Sequence, residues 1–444
     1  MDDERGTARG PGRRLAIAVF VTVLVAYGYF YQAGGWNQNS RFDLVRAIVE
    51  DGTLKIDRFE KNTGDESKRD GHYYSDKAPG LSLLAVPVWG AAQLVISQPP
   101  SARALAWGAW TSTVVTVGVP SALAVVALLA LARRLGASTG AATALALAYG
   151  LGTLAWPYAT LLYGHQLIGA LMLIAFAVLA TGPPSGATLS ARRLAGAGAL
   201  LGVAVVVEYT AALAAVVLAA YALTRAPWRR VVVAMAAGAV GPGLVLAAYH
   251  AAAFGGPLTL PYEFSTQPHR HMGVFMGLGA PDPRALWGIL GSSYRGLFFA
   301  APWLLLAIPG GVLLWRAGRR AETVAAAAIF VLFVWLNASL VDWQGGWAMG
   351  PRYLVPAIPF LVVLVVGLVA RGAATPRAPR LRRAGWVVAG LAVVGSAYLM
   401  LVGTAVKPEV PTHVRAPFGD YLLPRWSRGE VAVSTQSIDT AGYP

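Results

Sequence analysis

Apolar residues run along the chain in blocks separated by short polar stretches. The blocks lie at 15–33, 104–132, 138–156, 160–181, 194–224, 230–252, 294–316, 322–341, 353–371 and 384–406. Their lengths suit a hydrocarbon core about 30 Å thick. The block 194–224 has room for two short helices, and Glu208 within "VVVEYTAA" predicts the break between them. A further run, "LSLLAVPVWGAAQLVIS" at 81–97, is read as re-entrant or interfacial, because a full crossing there would put Arg133 and Arg134 on the wrong side. The first block follows Arg13 and Arg14, and "YFYQAGGWNQNS" after it offers no small-residue cleavage site, so it is read as a membrane helix that stays in place. The pattern predicts an all-α polytopic membrane protein with about eleven spans.

Composition agrees: the 444 residues are 56% hydrophobic and only 13% charged, too apolar for a soluble globular chain. The absence of cysteine excludes disulfides, thiolate catalysis and Cys-ligated metal sites. The net charge of +15 sits mostly in short loops: Arg133 and Arg134, Arg192 and Arg193, Arg225 with Arg229 and Arg230, Arg316 with Arg319 and Arg320, and the stretch 371–383. Basic loops of this kind face the cytoplasm, so the charge calls for no nucleic-acid partner. The predicted organisation is a cytoplasmic N-terminus at 1–14, a transmembrane domain at 15–406 and an extracytoplasmic tail at 407–444. Within the domain, 34–80 and 254–293 are extracytoplasmic loops, as is 342–352. The Ala, Val, Gly and Arg bias points to a GC-rich bacterium, and hence to its inner (plasma) membrane.

Acids are less evenly spread than bases. Of 21 Asp and Glu, nine fall in the loop 34–80, namely Asp43, Glu50, Asp51, Asp57, Glu60, Asp65, Glu66, Asp70 and Asp76. Carboxylate chemistry is expected there. Within that loop "SRFDLVRAIVEDG" has apolar residues at helical spacing and a glycine stop, which predicts an amphipathic helix along the interface with Asp43 and Arg46 on its polar side. Asp65, in "NTGDES", reads as a turn residue.

The first loop closes on "GHYYSDKAPG", Gly71 to Gly80. Together with "NSR" and "AIVEDGTLKID" upstream, "PYATLLYGHQ" at Pro157 to Gln166, "YRGLFFAAPWLLL" at Tyr294 to Leu306 and "DWQGGWAMGPRYLVPAIPF" at Asp342 to Phe360, it resembles the GT-C superfamily of polyprenyl-phosphate-sugar-dependent glycosyltransferases. Relatives in that superfamily include protein O-mannosyltransferases and lipid A aminoarabinose transferases, and "DKAPG" is similar to their Asp-Lys-Pro-Pro element. The resemblance covers most of residues 34 to 360. It implies a multi-pass enzyme that takes a sugar from a polyprenyl phosphate and passes it to a cell-envelope glycan, lipid or protein on the extracytoplasmic face. One element departs from the pattern. Relatives carry an Asp-Glu pair before an Arg-aromatic pair, whereas Asn39 and Ser40 precede Arg41 and Phe42 here. Asparagine accepts no proton.

Such a transfer needs a general base and cations that stabilise the departing phosphate. Lys77 and Arg352 suit the cationic role, with Arg295 and Tyr353 beside them; interfacial snorkelling is the alternative for the two bases. Neighbouring Gly and Pro, which let a headgroup approach the backbone, favour the phosphate role. With Asn39 at the usual acid position, Asp76, Asp57 and Asp43 compete as base. Tyr74, His165 and Glu208 are candidates for the substrate pocket, Glu208 because a carboxylate inside an apolar run is costly. "HRH" at 269–271 lacks further metal ligands nearby, so no metal site is assigned; the acidic loop leaves a divalent metal open. The loop 254–293, rich in Gly, Pro and aromatics, reads as substrate-facing. Two other readings stand beside the transferase: a transporter or flippase of a lipid-linked saccharide, and an inactive scaffold of the same fold.

Overall fold

The computed structural model describes residues 12–31, 34–96, 100–181, 188–370 and 379–431. It is almost wholly helical. The chain opens with α1 (Arg13–Tyr29) and α2 (Trp36–Glu50), crosses a hairpin of β1 (Glu66–Arg69) and β2 (His72–Ser75), and enters α3 (Gly80–Gln93). Next come α4 (Ala102–Thr113), joined through a π turn to α5 (Val119–Arg134), then α6 (Thr139–Leu151), α7 (Ala155–Ala159) and α8 (Gly164–Ala180). The second half holds α9 (Ala191–Val207), α10 (Ala211–Leu223), α11 (Trp228–Phe254), α12 (Pro283–Leu290), α13 (Leu297–Ala300), α14 (Ala307–Arg316), α15 (Arg320–Ala338), α16 (Ile358–Val365), α17 (Pro379–Val406) and α18 (Leu423–Ser427).

Among the described residues, four segments are long and apolar enough to cross a membrane unaided: Ala102–Arg134, Trp228–Phe254, Arg320–Ala338 and Arg383–Val406. The other apolar helices are shorter, and several expected runs are interrupted. The run 294–316 splits into α13, a 3₁₀ turn at Pro302–Leu306 and α14, while 353–371 begins as a 3₁₀ turn before α16. Irregular backbone is tolerated at such depth where it is enclosed by protein or lines a cavity. The break expected at Glu208 is present, since α9 stops at Val207 and α10 starts at Ala211. With 14 residues, α3 is about 21 Å long, short of a full crossing.

Close helix contact depends on small residues, as in other membrane bundles. A Cβ on Gly238 of α11 would run into the backbone of Ala195 on α9, and one on Gly198 of α9 into that of Met235. The α2 helix differs from expectation. Its residues from Asn37 to Ala47 are all buried, so it is not a half-exposed interfacial helix. The reason is that the rest of the first loop folds back over its polar side, with Asn62 bonded to both Asn39 and Asp43.

Candidate functional site

The hairpin assembles the first part of the site. Asp70 and Gly71 take left-handed φ values of 50° and 81°, the turn geometry that matches the twist of two antiparallel strands. Pairing of Glu66 with Ser75 then sets the residues just outside the strands side by side. Asp65, before β1, thereby meets Lys77, after β2. The Lys77 ammonium lies 2.8 Å from Asp65 and 2.8 Å from Asp76. Burial draws the Lys77 pKa down, but the two carboxylates outweigh it and hold it above the usual lysine value. Burial pushes Asp65 up in turn, and Lys77, with Arg352 and Arg270 further off, pulls it below the usual carboxylate range.

Three other segments close around Lys77. From α2, Arg41 forms a buried ion pair with Glu208 and bonds Asn37 Oδ1 at 3.1 Å and the Ala78 carbonyl at 3.3 Å. Glu208 is held at the break between α9 and α10, against which α3 starts. A Cβ on Gly80 would fall 2.6 Å from backbone atoms of Val206 and Val207, so only glycine permits that approach. From the loop 254–293, the Arg270 guanidinium stacks 4.3 Å over Tyr262. That loop is tied to the hairpin by Ser67 Oγ to the Pro261 carbonyl at 2.7 Å and Thr266 N to the Glu66 carbonyl at 3.0 Å. From the 3₁₀ turn before α16, Arg352 lies between the rings of Tyr163 and Tyr353, 5.5 and 5.2 Å from their centres.

Lys77, Arg41, Glu208, Arg270 and Arg352 line one cavity of about 260 Å³. Its polar wall is Asn37, Arg41, Lys77, His165, Glu208, Tyr209, Tyr262, Arg270, Arg352 and Tyr353. Its apolar wall includes Phe275, Met276, Leu278, Phe333, Leu336 and Leu340. Arg270 and Arg352 form no ion pair among the described residues, and each has a buried Nε–H without an acceptor. A buried guanidinium left incomplete in this way is a ready anion site. A larger groove of about 670 Å³ between α8 and α9, lined by Leu171, Val178, Arg192, Arg193 and Val203, has no comparable convergence of polar groups.

The structure thus brings Lys77, Arg352, Tyr353, His165 and Glu208 together. Asp76 stands directly behind Lys77. The remaining candidates lie elsewhere. Asp43 is fully buried on α2, where it accepts from Asn62 Nδ2 at 3.0 Å, and burial keeps its pKa well above the usual range. Asp57 sits on the outer side of the hairpin, bonded to His72 at 2.8 Å and to the Tyr73 amide at 2.6 Å. Tyr74 packs with Tyr249 and Phe254 in a small separate core. Arg295 is buried and spends its donors on the carbonyls of Tyr294, Gln344 and Gly346, holding the loop 342–352 in shape. Asp65 is an ion-pair partner and not only a turn residue, and Arg270 contributes a cation where the sequence drew attention to its flanking histidines. Among the described residues no three His, Cys, Asp or Glu side chains come together in a way that would hold a metal.

Glu66 supplies a pH test of this packing. Burial, with Glu60 and Asp76 nearby, pushes its carboxyl up to about 7. The folded state therefore keeps a proton that the unfolded chain releases near pH 4.3, and stability declines as pH rises from about 4.3 to about 7. Glu66→Gln is expected to raise the melting temperature at pH 8 and leave it nearly unchanged at pH 5, as thermal melts at the two pH values would show.

No protein-family model matches the chain, and no curated protein sequence is significantly similar to it. Solved structures are similar. ArnT from Cupriavidus metallidurans bound to undecaprenyl phosphate superposes with a TM-score of 0.54 at 19% identity, covering 96% of this chain and 75% of ArnT. The apo state of the same protein gives 0.51 at 18% identity over the same shares. The apo oligosaccharyltransferase of Archaeoglobus fulgidus gives 0.50 at 13% identity, over 90% of this chain and 57% of the enzyme. The chain shares the fold of these proteins. At these identities the likeness is one of architecture, and within that shared fold the chemistry rests on the cavity described above.

Proposed function

We propose that the protein is a membrane glycosyltransferase that accepts a sugar from a polyprenyl-phosphate carrier and passes it to an acceptor hydroxyl on the extracytoplasmic face. The observation that carries this reading is the group of Lys77, Arg270 and Arg352 on one cavity wall, two of them arginines without an ion-pair partner among the described residues. In the reaction the acceptor oxygen bonds to the anomeric carbon and the bond from that carbon to the phosphate oxygen breaks. A singly charged phosphodiester becomes a doubly charged monoester. Cations lacking a counter-charge stabilise that developing charge more than they stabilise the ground state. Glu208 is the carboxylate on the cavity wall among the described residues, and it is assigned the acceptor's proton; Asp65 and Asp76 hold Lys77. Asn39 donates to Asn62 at 2.6 Å and does not line the cavity.

Chain direction supports the sidedness. The helices α9, α11 and α15 start near Arg192 and Arg193, Arg229 and Arg230, and Arg320 respectively, and run towards the cavity, as the positive-inside rule requires of a site on the outer face. The test is saturable binding and turnover of a panel of radiolabelled polyprenyl-phosphate sugars by protein in lipid nanodiscs, beside Arg270→Ala and Arg352→Ala. Binding of one donor, weakened on the order of tenfold to a hundredfold in each variant, is expected, since each removes a charged hydrogen-bonding partner. A folded protein that binds none of them would sink the reading.

A further inference from the structure

Beyond the last long helix, the chain returns to the loops beside the cavity. The Val410 carbonyl accepts from the Ala348 amide at 2.9 Å, and the Thr412 carbonyl from the Tyr294 hydroxyl at 2.7 Å, so this segment is fastened to the loops around the site. Just before them Glu409 is buried, 3% exposed, while the Lys407 ammonium lies over the Trp347 ring. Its carboxylate accepts from the Tyr163 hydroxyl at 2.5 Å and from Gln38 Nε2 at 3.2 Å. Gln38 in turn accepts from the Leu162 amide at 3.0 Å, which fixes the chain next to Tyr163. With its proton directed at Glu409, the Tyr163 oxygen is free to accept, and Arg352 Nη1 donates to it at 3.4 Å. The ring of Tyr163 also supports the guanidinium.

We propose that Glu409 is a positioning residue for Arg352, acting through Tyr163, so that the segment after the last membrane helix sets the anion affinity of a cavity it does not line. The inference rests on the donor-binding reading above. Without Glu409 the Tyr163 hydroxyl can rotate its proton towards Arg352, where it opposes the guanidinium N–H instead of accepting from it. The guanidinium then loses its fixed direction, and an anion must order it on binding.

The experiment is titration of undecaprenyl phosphate into nanodisc-embedded full-length protein, with thermal melts in parallel. Glu409→Met keeps the volume and removes the acceptor; it is expected to weaken binding about tenfold, within the range of coupling between residues in one hydrogen-bonded network. Glu409→Gln, which keeps an acceptor oxygen for Tyr163, is expected to stay within about twofold of wild type by the same reasoning. Tyr163→Phe keeps the ring and loses the hydroxyl, and should match Glu409→Met even if that variant folds poorly. In an Arg352→Ala background Glu409→Met should weaken binding no further. An undiminished loss in that background, or a shift in melting temperature with unchanged affinity, overturns the proposal. Absence of binding by the wild type overturns the donor reading and this inference with it, whereas binding indifferent to Glu409 and Tyr163 overturns this inference alone.

Discussion

Lys77→Ala is expected to cost the protein both donor affinity and stability. The ammonium lies between Asp65 and Asp76, and its removal takes the nearest counter-charge from Asp76, which is buried, and from Asp65, which is mostly buried. Breaking a buried pair by deleting one partner typically costs about 3–5 kcal/mol. Loss of a charged donor to the phosphate should weaken binding by about a hundredfold. The sign of the pH dependence separates this from a simple cavity effect. In the wild type Asp65 is held below its ordinary pKa, so its contribution is in place above the unfolded value of about 3.9 and is lost only as pH falls through the lower folded value. Without Lys77, burial dominates and raises that pKa, so as pH rises from 5 to 8 the variant should lose stability more steeply than the wild type, beyond the decline that Glu66 gives both proteins. Thermal melts at the two pH values check it. A Lys77→Ala protein that melts like wild type at both would show that the two carboxylates have another partner.

The transmembrane pattern and the break at Glu208 were legible in sequence because each depends on residues near one another in the chain. A long apolar run interrupted by one acid admits few arrangements. Lys77, Arg352, Tyr353, His165 and Glu208 were legible as candidates for a similar reason: each is a polar residue close to the edge of an apolar block or, for Glu208, inside one, where a membrane protein has little use for one without a task. What escaped notice depends on distant approach. Asp65 looks like a turn residue because its neighbours are Asn, Thr and Gly, and only strand pairing carries it to Lys77. Glu409 meets Tyr163 across 246 positions, and nothing around "KPEVPT" marks it. Arg295 and Asp43 show the converse. Both carry the right chemistry in the right loops, yet Arg295 turns to backbone carbonyls and Asp43 to Asn62, because a buried charged or polar group must first satisfy its own hydrogen bonds. Asp57 lies on the outer side of the hairpin, where it accepts from the Tyr73 amide.

Glu208→Gln is expected to lower turnover by about 10²–10⁴, the usual contribution of a general base, while donor affinity stays within severalfold of wild type. Glutamine keeps an oxygen for Arg41, so the α9 to α10 break retains its main contact. What it loses is the capacity to take the acceptor's proton. On the proposed reading donor binding depends instead on Lys77, Arg270 and Arg352, none of which pairs with Glu208. Turnover and binding should therefore separate in this variant and fall together in Arg352→Ala. The comparison that decides the assignment is Asp76→Asn, which disturbs Lys77 but leaves the cavity carboxylate in place. If Asp76→Asn abolishes transfer at unchanged donor affinity while Glu208→Gln does not, the base is Asp76, and the Arg41–Glu208 pair serves to join the first loop to the helix break. If Glu208→Gln alone separates turnover from binding, a carboxylate in the middle of an apolar run has replaced the acid that Asn39 lacks. In that case the reaction has moved its base from the first loop to the α9 to α10 break without moving the cations that hold the leaving group.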